Sequence, residues 1–344
     1  MRRKAKFKKD SSVPLYRQVS AQIARDIASG KIRPAAPLPS INNLTDELGV
    51  ARNTVIQAMR QLVHDGYAVA KQGKGFFSVD RNLKPVLNMI VPLHHYYYIQ
   101  VYVNLIAGAQ DAAARKDEKL LIYNSHEEHA GFVSAMREVA TYRPNAKIIV
   151  VPPCGTDGRI NPKTAREIEK FTADGVRMII VDRQVNIDSI PLLVQDKLEG
   201  RKLLLRKLFE GDCKAALFFN ASEDEKDLKA FACESKWNGK LFFEESGGGN
   251  FEDLSLIRKN NYDAVFCVND LQARRIVIAA GDNLDFKIAG YDGTVTASSV
   301  SPRITTVNSN LTEAGELAFK LLSEGVVSTG KIKVKPFIIQ GETF

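Results

Sequence analysis

Short apolar runs that alternate with helical segments constrain the fold of this chain more than any other feature of its sequence. In the segments between the runs, apolar residues recur at the three- and four-residue spacing of a helix. A strand that is followed by a helix and another strand forms a parallel sheet, because the connection crosses over one face. Seven runs predict strands, at 87–92, 119–124, 147–152, 177–182, 215–220, 264–269 and 287–292.

We therefore predict a multidomain α/β protein in which residues 87–344 form doubly wound parallel sheets. Seven or more strands fit two such sheets better than one. Ligands of these folds bind at the carboxyl ends of the strands, so the polar residues that follow each run are the first candidates for a binding site.

The first 80 residues follow a different pattern, in which three predicted helices precede a β-hairpin. Apolar residues recur every four positions between Pro14 and Gly30, which predicts the first helix. A proline-rich, extended connector follows, and Ser40 is placed to cap a second helix that ends at Gly49. A third helix is predicted over 51–64.

Two alternating segments, Tyr67–Lys71 and Phe76–Val79, follow the third helix and are joined by a glycine-containing turn over 73–75. Three helices and a hairpin in this order predict a winged helix-turn-helix domain. The second helix of such a pair enters the major groove of DNA.

The third helix has two faces of different chemistry. Val55, Met59 and Leu62 recur at helical spacing and are expected to pack on the core. The other face carries arginines and amides, which match the base edges of guanine and adenine. A solvated surface is the alternative for such a face in isolation. The residues that we predict to contact DNA are Ser40, Asn42, Arg52, Asn53, Thr54, Gln57, Arg60, Lys71, Gly73 and Lys74.

The positive charge of the chain is confined to its first quarter. Residues 1–81 contain fifteen Lys and Arg and six Asp and Glu, a net charge of +9, whereas residues 82–344 have a net charge of −1. This distribution indicates a polyanion-binding head joined to a neutral ligand- or partner-binding body. A basic membrane-surface segment is the alternative, but it would carry aromatic anchors, and the first 81 residues contain no tryptophan.

The stretch LPSINNLTDELGVARNTVIQAMRQLVHDGYAVAKQGKGFFSV resembles the GntR-type DNA-binding domain, and the similarity covers residues 13–79. The resemblance implies DNA contacts for Arg52 and Thr54 and a wing-tip role for Gly73. Asn42 and Ile56 stand where many members have arginine. The basic arm RRKAKFKK either supplies compensating phosphate contacts or is a solubilising tail.

The polar residues that follow the predicted strands form a set suited to a sugar. Carboxylates and forked donors each bind two adjacent hydroxyls, and aromatic rings cover the apolar face of a sugar. Helix capping is the alternative for the Asn and Asp residues. The predicted ligand-binding residues are Tyr97, Tyr98, Asn124, Asp182, Arg183, Asn220, Asn269, Asp270 and Asp292.

Four motifs in the body are similar to those of the LacI/GalR and periplasmic sugar-binding superfamily, in the same order and spacing: VDRQ (181–184), VNDLQA (268–273), GYDGT (290–294) and ITTVNSN (304–310). The resemblance implies a two-lobed, periplasmic-binding-protein-like body with sugar contacts at Asp182, Arg183, Asp270 and Asp292, and more loosely at Asn269.

Three departures from this pattern concern the ligand. The first loop, LHHYYYIQ, is longer than usual, Ser309 replaces a frequent glutamine, and Asp227 stands where many members have arginine.

The combination of the two resemblances is similar to AraR-type carbohydrate-responsive repressors. It implies a DNA-binding domain over 1–80, a linker over 81–86 and a sugar-binding and dimerisation domain over 87–344. The expected partners are a pseudo-palindromic operator in double-stranded DNA, a monosaccharide or sugar phosphate, and a second copy of the chain that packs through helices including 101–115. Release from DNA by the sugar is expected.

Other signals in the sequence point to no further chemistry. No apolar segment follows the basic N-terminus, and the four cysteines are scattered, so we expect a cytoplasmic protein with buried, reduced thiols. His126 and His129 are expected to be surface residues, and SGGGNF (246–251) a turn, so neither a metal nor another cofactor is expected. A sugar-modifying enzyme that uses Asp182 and Asp270, or a non-regulatory sugar-binding protein, is the alternative to a regulator.

Overall fold

The computed structural model describes residues 14–79, 86–142, 147–155, 159–173, 176–183, 185, 187, 190–246, 251–325 and 330–344. The basic arm, most of the predicted linker and most of the SGGGNF stretch lie outside the described residues, so their roles stay predictions. None of the helices in the described ranges combines the length and the apolar character needed to span a bilayer.

The first elements form the predicted winged helix-turn-helix domain. Its helices are α1 (Leu15–Ala28), α2 (Ile41–Leu48) and α3 (Arg52–His64), and its antiparallel hairpin consists of β1 (Ala68–Lys71) and β2 (Gly75–Ser78). The hydroxyl of Ser40 accepts a hydrogen bond from the Asn43 amide at 3.1 Å, which is the predicted cap of α2.

Apolar side chains of the three helices form the core of this domain. Val55 and Met59 on α3 are fully buried, and they belong to one cluster with Val19 and Ile23 of α1 and Leu44 of α2. The predicted inner face of α3 is confirmed.

The proline-rich connector between α1 and α2 forms hydrogen bonds with β2 of the wing. The Leu38 amide donates to the Phe76 carbonyl at 2.7 Å, and the Ala35 amide donates to the Ser78 carbonyl at 3.1 Å. The hydroxyl of Ser78 in turn donates to the Arg33 carbonyl at 2.6 Å. The sequence predicted an extended connector, and these bonds show that it fixes the base of the hairpin.

The body alternates strands and helices as predicted. Its elements in chain order are β3 (Val86–Val91), α4 (Tyr96–Ala114), β4 (Lys119–Asn124), α5 (His129–Tyr142), β5 (Lys147–Val150), α6 (Pro162–Ala173), β6 (Arg177–Val181), β7 (Leu192–Gln195), α7 (Lys197–Phe209), β8 (Ala215–Phe219), α8 (Glu225–Glu234), β9 (Lys240–Glu244), α9 (Phe251–Asn260), β10 (Ala264–Phe266), α10 (Asp270–Ala280), β11 (Lys287–Asp292), α11 (Val295–Ser298), β12 (Thr305–Asn308), α12 (Leu311–Glu324), β13 (Lys331–Val334) and β14 (Phe337–Ile339).

These strands form two six-stranded sheets, with the orders β4-β3-β5-β6-β7-β13 and β9-β8-β10-β11-β12-β14. The pairs on both sides of β3 and of β10 are parallel, as crossover helices require, and the antiparallel β14 closes one edge of the second sheet. All seven predicted strands are present. The sequence missed five further strands, β7, β9, β12, β13 and β14, which have three to five residues each.

By compactness the chain divides into two units. The first unit comprises Met1–Pro92, Ala113–Ile179 and Leu322–Val326, and the second comprises Leu93–Ala112, Ile180–Leu321 and Val327–Phe344. The second sheet lies entirely within the second unit. Successive residues of β8 point to opposite faces of that sheet, since Leu217 and Phe218 belong to different apolar clusters.

Helices α4 and α12 touch through their backbones. A Cβ atom added at Gly108 would lie 2.0 Å from the Thr312 carbonyl oxygen, and one added at Gly315 would lie 2.3 Å from the Leu105 carbonyl oxygen. Neither glycine leaves room for a side chain, so the two helices interlock at this point.

Three expectations need correction. The segment LHHYYYIQ is not a long loop, because α4 begins at Tyr96 and includes its second half. The four cysteines are free thiols, but Cys233 is exposed rather than buried. His129 is half-buried rather than a surface residue, because it begins α5 and its Nδ1 lies 3.0 Å from the Thr164 hydroxyl, in a second cavity of about 420 Å³.

Candidate DNA interface and ligand pocket

The outer face of α3 presents the predicted base-reading groups to solvent. Arg52, Asn53, Gln57 and Arg60 are exposed, whereas the neighbouring Thr54 is half-buried. Because their fully buried neighbours hold the helix to the core, these four side chains extend from a rigid support. The arrangement is that of a recognition helix, and the individual contacts stay predictions.

The wing carries a basic tip on a tight turn. Gly73 and Gly75 have φ angles of +71° and +87°, which favour glycine at these positions. Lys74 at the tip is exposed, and the Lys71 ammonium lies 4.4 Å from the centre of the Phe77 ring. Asn42 on α2 is also exposed, whereas Ile56 on α3 is half-buried.

A cavity of about 350 Å³ lies in the second unit, at the carboxyl ends of β6, β7, β8, β10 and β11. This is the position that doubly wound sheets favour for a ligand. Six of the nine predicted ligand-binding residues line it. The charged, amide, histidine and tyrosine residues of the lining are His95, Tyr97, Tyr98, Tyr102, Asp182, Arg183, Gln195, Lys197, Arg201, Asn269, Tyr291 and Asp292.

Asp292 ends β11 on one side of this pocket. Its Oδ2 accepts a hydrogen bond from the Tyr97 hydroxyl at 2.7 Å. Burial raises the pKa of Asp292 to about 6, and the nearby charge of Asp182 adds to the increase, whereas the Tyr97 bond and the charges of Lys197 and Arg183 lower it. The pKa of Tyr97 is raised by burial and by the carboxylate of Asp292.

Asp182 follows β6 and is held by two donors. Its Oδ2 accepts from the Tyr102 hydroxyl at 2.7 Å, and its Oδ1 accepts from the Gln195 amide at 2.6 Å. Its φ of +72° belongs to the left-handed region, which few residues other than glycine adopt. The carboxylate is therefore fixed by its neighbours on both oxygens.

Arg183 places a guanidinium between a carboxylate and an aromatic face. Its Nε lies 3.8 Å from the Asp182 Oδ2, and its Cζ lies 5.9 Å from the centre of the Tyr98 ring. Tyr98 is stacked on Tyr102 at a centroid distance of 6.3 Å and an angle of 15°. A forked donor beside stacked rings is suited to the hydroxyls and the apolar face of one sugar.

Arg201 and Lys197 also line the pocket, and they differ in their surroundings. Arg201 forms an ion pair and a short hydrogen bond with Asp224, so its charge is already balanced. Lys197 is exposed at the first residue of α7.

Asp270, Asn124 and Asn220, which the sequence placed in the ligand site, are not among the residues that line this pocket. Asp270 is fully buried and is bound from both sides. The Thr294 amide and hydroxyl donate to its Oδ2 at 2.6 and 2.9 Å, and the Thr306 hydroxyl donates to its Oδ1 at 2.5 Å. Burial, with the charge of Asp292, raises the pKa of Asp270 to about 8. Asp270 is therefore held by donors of the protein itself, and its contact with a ligand stays a prediction.

The two asparagines accept hydrogen bonds from backbone amides, but neither of these bonds caps a helix. The side-chain oxygen of Asn124, which belongs to the first unit, accepts from the His126 amide at 2.9 Å. That of Asn220 accepts from the Ser246 amide at 2.8 Å. Asn269 combines both roles, because it caps α10 through the Gln272 amide at 2.8 Å and also lines the pocket.

Sequence reasoning missed Tyr102, Gln195, Lys197 and Arg201. Tyr102 lies one helical turn after Tyr98, so the start of α4 at Tyr96 would have predicted it. Gln195 ends the four-residue strand β7 and Lys197 comes two residues later, and the sequence did not identify this strand.

Known proteins resemble this chain both in its N-terminal domain and over nearly its whole length. Residues 15–77 match the family described as bacterial regulatory proteins, gntR family. An arabinose metabolism transcriptional repressor of Geobacillus stearothermophilus is 22% identical over 97% of this chain and 97% of its own length.

Two solved structures resemble the body. A periplasmic binding ribose operon repressor protein from Lactobacillus acidophilus has a TM-score of 0.56 and 20% identity, and covers 75% of this chain and 97% of its own. A dimeric Lac repressor has a TM-score of 0.57 and 13% identity, over 75% of this chain and 98% of its own. The N-terminal domain of this chain therefore belongs to the gntR family of bacterial regulatory proteins, and its body has the fold of LacI-type repressors.

Proposed function

We propose that this protein is a cytoplasmic transcriptional repressor of carbohydrate-utilisation genes that releases its operator when a small sugar binds in the pocket of the second unit. The observation that carries the proposal is the pocket itself. It places Asp182, Arg183 and Asp292 at strand ends beside stacked tyrosines, in a chain that begins with a DNA-binding domain. The full-length relative is an arabinose metabolism repressor, so arabinose is the first sugar to test.

The charge balance of the pocket favours a neutral sugar. The carboxylates of Asp182 and Asp292 face the cations of Arg183 and Lys197, while Arg201 is already paired with Asp224. A sugar phosphate is the alternative, because Lys197 stands at the N-terminus of α7, where a phosphate would be stabilised.

The proposal is tested in two steps. Selection from random duplexes yields the operator, and a fluorescence-anisotropy titration then measures DNA affinity with aldopentoses, aldohexoses and their phosphates present in turn. A thermal-shift assay on the same panel is the second measurement, because a sugar at 100 times its Kd stabilises the folded protein by about 2.7 kcal/mol. If no sugar changes either quantity, the pocket is not a sugar sensor. An increase in DNA affinity would indicate a co-repressor instead.

Replacing Arg52 by alanine should weaken operator binding by about 1–3 kcal/mol and relax the base preference at one position in each half-site, because a forked donor to a base edge is lost. Lys74→Ala, at the wing tip, should weaken binding to all DNA sequences equally and should reduce the salt dependence of the affinity. The control is Arg25→Ala, which removes an exposed arginine from α1. Unchanged affinity and sequence preference in Arg52→Ala would show that α3 is not the recognition helix.

The protein should be a dimer, because one recognition helix reads too few base pairs for useful affinity. Tyr96, Ile99 and Val103 form an exposed apolar stripe on α4, with exposed fractions of 53%, 48% and 50%. We expect light scattering to give twice the 38.1 kDa chain mass, and Val103→Glu to reduce it. A monomeric wild-type protein at micromolar concentration would contradict this assembly.

A further inference from the structure

Tyr97 directs its hydroxyl at a protein carboxylate rather than at the open pocket. The side chain is 7% exposed, and its hydroxyl proton is donated to the Asp292 Oδ2 at 2.7 Å. A bond of this length to a carboxylate is charge-assisted and strong. The donor capacity of Tyr97 is therefore used before a ligand arrives.

The two carboxylates of the pocket differ in how they are supported. Asp182 receives one donor on each oxygen, from Tyr102 and from Gln195. For Asp292, the hydrogen bond from Tyr97 is the strongest of the influences that keep the carboxylate charged, ahead of Lys197 and Arg183. The loss of one tyrosine hydroxyl should therefore disturb Asp292 more than the equivalent loss would disturb Asp182.

Charged and titratable groups of three other segments act on Asp292. Tyr97 approaches from α4, Asp182 and Arg183 from the segment after β6, and Lys197 from α7, and the charge of Asp292 in turn raises the pKa of Asp270. Burial raises the pKa of Asp292 to about 6, and the hydrogen bond from Tyr97 opposes that increase.

We propose that Tyr97 is a positioning residue that acts through Asp292, by orienting its carboxylate and holding it in the charged form that accepts sugar hydroxyls. This inference rests on the proposed function, because it assumes that Asp292 binds the sugar. It replaces the expectation from the sequence that Tyr97 itself contacts the ligand.

The test is the pH dependence of sugar affinity in Tyr97→Phe. The wild-type affinity should be full above pH 6 and should decrease as the pH falls through about 6, because protonation removes the acceptor. Tyr97→Phe removes a bond that lowers the pKa of Asp292, so the decrease should begin at higher pH. With arabinose, or the aldopentose that most stabilises the wild type, we expect about tenfold weaker binding at pH 7 and recovery to within about threefold at pH 9.

Two variants serve as controls. Tyr98→Phe is the same substitution at the next residue of the pocket, and the Tyr98 hydroxyl bonds to no carboxylate in the described part of the chain. It should leave the midpoint of the pH profile unchanged, whatever its effect on affinity. Gln100→Ala removes a different tie of α4, since the Gln100 side-chain oxygen accepts from the Thr296 amide and hydroxyl at 3.2 and 2.7 Å. If Gln100→Ala has the same pH profile as the wild type, a looser α4 is not the cause of the changed profile in Tyr97→Phe.

A loss of affinity in Tyr97→Phe by the same factor at every pH would overturn the inference and would indicate direct contact with the sugar. An unchanged affinity at every pH would also overturn it. A second measurement needs no sugar: carboxyl NMR of ¹³C-labelled aspartate, with Asp292→Asn to assign the signal, should show a higher titration midpoint in Tyr97→Phe. The absence of that shift refutes the inference even if the wild type binds sugar. A shift in a protein that no sugar stabilises would refute the proposed function alone.

Discussion

Replacing Arg183 by alanine should abolish the sugar response but should change the operator affinity of the sugar-free protein by less than about threefold. The guanidinium is the forked donor of the pocket, and its side chain is only 14% exposed. Each hydrogen bond from a charged group contributes about 1.5–3 kcal/mol, so the loss of two such bonds should weaken sugar binding by at least about 100-fold. Anisotropy titrations with and without sugar give both quantities on one sample.

Two further variants make this experiment specific. Arg183→Lys keeps the charge but loses the planar fork, and it should recover little of the affinity. Arg206→Ala removes an arginine that pairs with Glu199 on the exposed surface of α7, and it should respond like the wild type. If Arg183→Ala still responds at the wild-type sugar concentration, Arg183 does not bind the sugar.

Replacing Asp270 by alanine lowers the free energy of unfolding by about 3–5 kcal/mol and reduces the melting temperature by about 10 °C. The Thr294 amide and the Thr294 and Thr306 hydroxyls would lose their acceptor in a fully buried place. Each buried donor left unsatisfied costs about 1–3 kcal/mol. Urea unfolding measures the change directly.

The same variant separates a structural carboxyl group from a ligand contact. A role in sugar binding alone would leave the melting temperature of the sugar-free protein unchanged and would remove only the stabilisation by sugar. Thr306→Val removes one of the three donors without touching the pocket lining, and it should destabilise the protein by a smaller amount. If Asp270→Ala is as stable as the wild type, the contacts described here do not support the sheet.

Asp270 and Asp292 show why the sequence could predict where the pocket lies but not which residues line it. Asp292 ends a strand and Asp270 begins the helix after one, and both lie in motifs that resemble those of the LacI/GalR superfamily. The direction of the Asp270 side chain is decided by Thr294 and Thr306, which lie 24 and 36 residues further along the chain. A one-dimensional pattern does not contain such a pairing, so position after a strand could not distinguish the two carboxylates.

The winged domain was predicted more completely because its signals are local. Ser40 caps the helix that immediately follows it, and Gly73 sets the turn in which it lies. The missed residue Gln195 ends β7 and Lys197 lies two residues beyond it, and the four residues of this strand do not show an alternating pattern, because three of them are buried. Tyr102 was missed because a run of aromatic residues was interpreted as a loop rather than as the first turn of α4.

The interlocked glycines of α4 and α12 have a consequence for how this protein can diverge. Gly108 anchors the middle of α4 by backbone contact, whereas Tyr97 and Tyr98 occupy its first turn and Ile99 and Val103 its outer face. Under the proposed function, we expect substitutions in the first turn to change the inducer and substitutions on the outer face to change self-association. Both kinds of change can accumulate in descendants of this chain while α4 keeps its place, provided that the two glycines are retained.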